Sequence, residues 1–337
     1  MSSPSLDGLL FHNAGELFPG PDGGLRLQRT PESVRLRLND MAQARMLWPW
    51  GIEIRTVLTE LGQPARVTLR TLGEKAEAWV HWGQFAERDA RPIGKEPTTI
   101  ELAFPEKLRE CGLKHFAHHP FQPQVCRLLL RGDPVVYLGA EGGLRLPEPQ
   151  EQPRVRLLAY GTSITQGVGS SHQHLSYVHL AARELGWDVV NLGSGGSALC
   201  EHPISDYMSG MPDWDAAFLC LSVNMVGQGL PVETFIERVT YMLEKLAATG
   251  KPVLCMSILP YFSDYNGDER GPLTRQYREA LPQLCRPFKN VHFVAGPDIL
   301  MDVGGLTVDV IHPSDYGMIK IAQNLVPHLR ALLPATA

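Results

Sequence analysis

The sequence predicts an all-β sandwich of jelly-roll-like type followed by an α/β domain, and three observations carry that prediction. Up to residue 145, short runs alternate apolar and polar side chains with period two, the pattern of half-buried antiparallel strands. Beyond residue 155, short apolar runs alternate with longer stretches of helical period, the pattern of a mostly parallel sheet covered by helices. Between them, residues 146–154 (Leu-Pro-Glu-Pro-Gln-Glu-Gln-Pro-Arg) concentrate three prolines among polar residues, which is linker chemistry. A chain of 337 residues also exceeds the length at which a single core usually stops growing, so domains are expected over 1–148 and 149–337.

In the first domain, Val34-Arg35-Leu36-Arg37-Leu38 places apolar and charged side chains on opposite faces and is expected as a strand. Residues 67–69, 100–102 and 126–128 follow the same rule, and Gly and Pro at 19–24 mark a turn. In the second domain strands are expected at 155–160, 189–192, 217–221, 253–257 and 291–294. Phe235, Ile236, Val239, Met242, Leu243 and Leu246 share one helical face, as do Leu273, Tyr277, Leu281 and Leu284.

Composition narrows the function classes. A net charge of −5, from 31 basic and 36 acidic residues, leaves no broad positive footprint for a phosphate backbone, so no nucleic-acid partner is expected. The longest apolar stretch, 216–226, falls short of the ~20 residues that span a bilayer and is interrupted by Ser222 and Asn224, so no membrane partner is expected. No Lys or Arg precedes Arg26, unlike the positive start of a secretory signal, and the six cysteines are scattered. A cytoplasmic protein with reduced thiols is the expectation. Nothing in the sequence speaks to oligomeric state.

In an α/β sheet, ligands bind at the carboxyl ends of the strands, and the residues there suit acyl transfer. The first strand runs into Tyr160-Gly161-Thr162-Ser163-Ile164-Thr165-Gln166-Gly167, a serine in a tight turn. A serine hydroxyl is a weak nucleophile that needs an oriented base, and Asp309 and His312 lie three residues apart in the loop before the last helix. The second strand ends in Gly193-Ser194-Gly195-Gly196, where missing side chains let backbone N–H groups approach a substrate oxygen. After the third strand stands Asn224, whose amide is a donor suited to an oxyanion. Each also has a plainer reading, as turn serine, Asx-turn aspartate, helix-entry histidine, tight-turn glycine or loop amide. Their ordered company favours the catalytic one.

Together these motifs resemble the SGNH/GDSL hydrolase superfamily, with Ser163, Gly196, Asn224 and His312 as the four residues of the name. The match is closest to members with a Tyr-Gly-x-Ser-Ile-Thr-Gln-Gly block and an Asp-x-x-His-Pro-x-Asp-x-Gly block, and it covers the second half of the chain. It departs at Thr162, where GDS has aspartate, and at Ser222-Val223-Asn224-Met225, where Gly-x-Asn-Asp is usual. A one-residue shift would exchange Gly196 for Gly195. The resemblance implies a flavodoxin-like three-layer fold, a Ser163, His312, Asp309 triad, and an oxyanion hole of the Ser163 and Gly196 N–H groups and the Asn224 amide. It implies an acyl-enzyme route with no cofactor and no metal. No Gly-x-Ser-x-Gly elbow occurs, which argues against an α/β-hydrolase.

The expected substrate is a small-molecule or carbohydrate O-acyl ester. The pairing with a β-sandwich resembles carbohydrate O-acetyl esterases. The alternatives are a lysophospholipase or thioesterase-type acylhydrolase, an arylesterase, or a noncatalytic carbohydrate-binding protein on a degenerate scaffold. Two further groupings have structural readings: Cys111, His115, His118, His119 and Cys126 lack a standard zinc spacing, and Trp48, Trp50, Trp79 and Trp82 fit a sandwich core better than a sugar platform.

Overall fold

The computed structural model describes residues 3–20 and 23–333, so positions 21 and 22 of the turn expected at 19–24 lie outside the described residues. Contacts divide the chain into two units. The first comprises Met1–Ser33, Met46–Arg154 and Gly186–Asp188, and the second Val34–Arg45, Val155–Leu185 and Val189–Ala337.

In chain order the first unit contains strands β1 (Ser5–Leu6), β2 (Leu9–His12), β3 (Glu16–Pro19), β4 (Leu25–Gln28), β5 (Glu53–Leu58), β6 (Ala65–Thr71) and β7 (Ala76–Trp82). After them come β8 (Phe85–Ala86), β9 (Arg91–Ile93), β10 (Thr98–Leu102), β11 (Val125–Gly132), β12 (Val135–Glu141) and β13 (Leu144–Arg145). They form two sheets. One has the order β1-β2-β5-β11-β7-β8, with β13 on β5 and β9 on β7, and the other β10-β6-β12-β4-β3. The strands pair antiparallel, as in Leu128 of β11 opposite Val80 of β7. Period-two patterning does the work: in β6, Ala65, Val67, Leu69 and Thr71 are buried while Arg66, Thr68 and Arg70 are not. Inward side chains of both sheets, among them Ile54, Val80 and Leu128 from one and Val67, Ile100 and Tyr137 from the other, share one core. Trp82 belongs to that core, edge-on to Phe104 with centroids 5.2 Å apart, and Trp50 is buried beneath the Arg131 guanidinium.

Residues 34–38 are a correction. The chain forms a helical turn, α1 (Glu32–Arg35), then bends into a second short helix, α2 (Asp40–Arg45), with no strand between. Pro31 followed by Glu32 is a helix-start pattern, and it overrides a five-residue alternation with no strand to pair with. Leu36 is exposed and Leu38 buried, so the alternation does not mark one sheet face.

The second unit has a five-stranded sheet of β14 (Arg156–Tyr160), β15 (Asp188–Asn191), β16 (Ala216–Cys220), β17 (Val253–Met256) and β18 (Val291–Val294) in the order β15-β14-β16-β17-β18. The pairs β14–β16, β16–β17 and β17–β18 are parallel. This is the flavodoxin-like order, with a topological switch beside β14, the place where such sheets bind ligands. Every residue of β16 and β17 is buried, as expected of strands covered on both faces. The covering helices are α5 (Tyr177–Leu185), which packs on α11 (Asp315–Leu332), and α8 (Val232–Ala247), which packs on α6 (His202–Gly210) and α9 (Arg270–Cys285), while in chain order the short helix α3 (Glu106–Cys111) lies between β10 and β11 and α10 (Gly296–Ile299) between β18 and α11. Phe235, Val239, Met242, Leu243 and Leu246 bury the expected face of α8, while Ile236 lies outside it. Among the described residues no helix is long and apolar enough to cross a membrane.

Candidate active site

Ser163 follows β14 after Gly161 and Thr162, in the first turn of the short helix α4 (Ser163–Gln166), and is half-buried. Its Oγ lies 2.8 Å from His312 Nε2. On the far side of the imidazole, Nδ1 lies 2.6 Å from Asp309 Oδ2. A carboxylate can only accept, so Nδ1 carries the proton and Nε2 is left to accept from the serine hydroxyl. The tautomer is set by Asp309.

The loop that delivers these two residues is tightly tied. Asp309 Oδ1 accepts from the Thr307 hydroxyl (2.8 Å) and from the backbone N–H groups of Ile311 and His312 (both 3.0 Å). Burial works against ionisation, but the His312 N–H, the imidazole, the Ile311 N–H and the Thr307 hydroxyl outweigh it and hold Asp309 well below the usual carboxylate range. Between them Val310 has φ +54°, a left-handed conformation that a β-branched residue adopts only under constraint. Its N–H donates to Thr307 O (2.9 Å) and its carbonyl accepts from Phe262 N–H (2.8 Å), which supply the constraint. On the other flank Ser314 caps α11 by accepting from Gly317 N–H, fixing the exit of the loop.

The glycine loop after β15 is stitched to the serine turn. A Cβ on Gly193 would lie 2.3 Å from Gln166 N, so only glycine permits that approach. Gly195 N–H donates to Gln166 Oε1 at 2.7 Å. Gly196 has φ +72°, and among the described residues its N–H has no acceptor, nor has that of Ser163. The geometry therefore separates the adjacent glycines: Gly195 has spent its donor, and Gly196 keeps its own. Asn224, in α7 (Val223–Gly227) after β16, accepts from Ala198 N–H through Oδ1 at 3.2 Å. That bond orients the amide with Nδ2 as the remaining donor.

A narrow apolar pocket with about 280 Å³ of empty space, part of it open to solvent, is lined by Thr162, Ile164, Val223, Ile258, Leu259 and Ile311, among others. Thr162 and Ile164 flank Ser163, Val223 precedes Asn224 and Ile311 precedes His312. Two residues with a part in this architecture were not singled out by sequence reasoning. Thr307 was legible as a hydroxyl two positions before the aspartate, whereas Gln166 was quoted only as part of a motif. Cys126 of the other expected grouping is buried in the β11 core, and His119 packs on Phe85 and Phe116.

Residues 159–318 match the GDSL-like lipase/acylhydrolase family. No curated protein matches the chain. Among solved structures, the chain is similar to the salicylyl-acyltransferase SsfX3 from a tetracycline biosynthetic pathway, at 17% identity over 99% of this chain and 97% of that one, with a TM-score of 0.76. It is also similar to an active-site mutant of a family two carbohydrate esterase from Clostridium thermocellum, at 16% identity over 97% and 98% of the two chains, with a TM-score of 0.65. The acetyl xylan esterase Est2A from Butyrivibrio proteoclasticus follows at 14% identity over 85% and 90%, with a TM-score of 0.57. At these identities the likeness is one of fold.

Proposed function

Residues 159–318 form a GDSL-like lipase/acylhydrolase domain, and on that premise we propose that this chain is a serine esterase that removes short acyl groups, acetyl foremost, from carbohydrate hydroxyls. The observation that carries the reading is the hydrogen-bonded row from Ser163 Oγ through the His312 imidazole to Asp309. In this row His312 Nε2 takes the hydroxyl proton as Ser163 Oγ attacks the ester carbonyl, and Asp309 stabilises the imidazolium that forms. The Ser163 and Gly196 N–H groups and Asn224 Nδ2, none of them bonded to a protein acceptor among the described residues, are the donors for the developing oxyanion. The imidazolium then protonates the leaving alcohol, and water cleaves the acyl-enzyme by the same steps in reverse.

One observation supports the finer reading. The fold is shared, across both halves of the chain, with a family two carbohydrate esterase and an acetyl xylan esterase. The test is turnover of p-nitrophenyl esters from acetate to octanoate and of acetylated xylan oligosaccharides, with Ser163→Ala as control. Fastest turnover on acetate and release of acetate from the sugar, both lost in the variant, are expected. Activity surviving in Ser163→Ala sinks the nucleophile, and faster turnover of octanoate than acetate sinks the short-acyl assignment.

A further inference from the structure

The peptide unit between Gly195 and Gly196 carries the Gly196 N–H at one edge and the Gly195 carbonyl at the other, and in a trans peptide these point in opposite directions. That carbonyl has a partner: Arg45 Nε donates to it at 3.1 Å. Arg45 closes α2, in the segment Val34–Arg45 that belongs to the second unit although it lies 150 residues upstream of the glycine. The segment grips the same loop at two other points. Asn39 Nδ2 donates to Ser197 O (3.2 Å) and to the Glu201 carboxylate (2.7 Å), which also accepts from Asn39 N–H at 3.0 Å. Met41 Sδ stands 2.7 Å from where a Cβ on Gly196 would be.

We infer that Arg45 is a positioning residue for the oxyanion hole, acting through the Gly195–Gly196 peptide; the inference rests on the reading of Gly196 as an oxyanion donor. A peptide between two glycines has no Cβ on either side to resist rotation of its plane, so local sterics leave the direction of its N–H undetermined. Arg45 determines it by holding the opposite edge, while Gln166 holds the preceding N–H at 2.7 Å. A guanidinium is always charged, and a charge-assisted bond to the carbonyl also polarises the amide. Such polarisation strengthens the N–H as a donor by roughly 10–30% for each bond in the chain. Donors aimed in advance cost no reorganisation when charge develops. A stretch remote in sequence thereby sets the aim of a catalytic N–H group.

The test uses the full chain with Arg45→Ala, Arg45→Lys and Ser163→Ala, each followed on p-nitrophenyl acetate with its melting temperature and pH profile. Arg45→Ala is expected to lower kcat by about 10–100-fold, below the ~10²–10³-fold of losing a donor outright, with KM within about twofold and the pH profile unmoved. Arg45→Lys, which keeps a cationic donor in a poorer place, should recover part of that loss. It also supplies the reading if the alanine variant does not fold. Wild-type kcat in Arg45→Ala overturns the inference. So does a loss shared between kcat and KM with a lowered melting temperature and no rescue by lysine, which is the mark of a purely structural contact. Full activity in Ser163→Ala would instead remove the reading on which the inference stands, whatever Arg45 does.

Discussion

Asp309 and His312 come from one loop, three residues apart, whereas Gly196 and Asn224 stand after two different strands, with Arg45 contributed from a third and distant stretch. The acid–base side is local: one carboxylate collects the N–H groups of Ile311 and His312 and the Thr307 hydroxyl, so a few residues close the geometry among themselves. The donor side is held together by Gln166 to Gly195, Asn224 to Ala198 and Arg45 to Gly195, contacts that exist only once the sheet has assembled. On the proposed mechanism, proton transfer is organised by short-range chain geometry, and charge stabilisation by tertiary structure.

The sharpest way to break the local side is Asp309→Asn. Three donors converge on Oδ1, so the new amide keeps its oxygen there and turns its NH₂ towards His312 Nδ1. Nδ1 then becomes the acceptor, the imidazole proton moves to Nε2, and the base can no longer accept from Ser163. A fall in kcat on the order of 10⁴-fold with little change in KM is expected in steady-state assays. A loss below tenfold would mean that Asp309 does not govern the tautomer.

The corresponding break on the donor side is smaller. Asn224→Ala removes Nδ2 and should cost about 10²–10³-fold in kcat, with substrate binding nearly intact. Asn224→Asp keeps the shape but has no N–H to give, so it should fall at least as far. If the aspartate variant instead kept wild-type kcat, Asn224 would have no part in the oxyanion hole.

The smallest effect is one of shape. Because Asp309 is held well below the usual carboxylate range, the stabilisation from its hydrogen bonds is complete above the ordinary carboxylate pKa and is lost only as pH falls towards its depressed folded value. Above pH ~4 the carboxylate therefore stays ionised. The acid limb of log kcat/KM should have unit slope there. A slope of two above that pH would show that Asp309 titrates together with its partner.

The fold was legible to different depths in its two halves. In the second unit the apolar runs were long enough to place the five strands within a residue or two, because buried parallel strands and amphipathic helices have distinct periods. In the first half of the chain the same rule succeeded at β6, β10 and β11 but failed at 34–38, where five residues satisfied an alternation that no neighbouring strand was present to use. Ser163, His312 and Asp309 were legible because strand-end position and close spacing in the chain both survive in a linear sequence.

By itself, then, the sequence determined the order of strands and helices in the second half of the chain, the strand ends on which chemistry would sit, and the residue types available there. Only the tertiary structure decided which adjacent glycine keeps a usable N–H, which way the Asn224 amide faces, and that Arg45 belongs with a loop 150 residues away. The physical reason is that a hydrogen bond's availability depends on which partners already occupy it, and that occupancy is a property of packed space rather than of sequence separation.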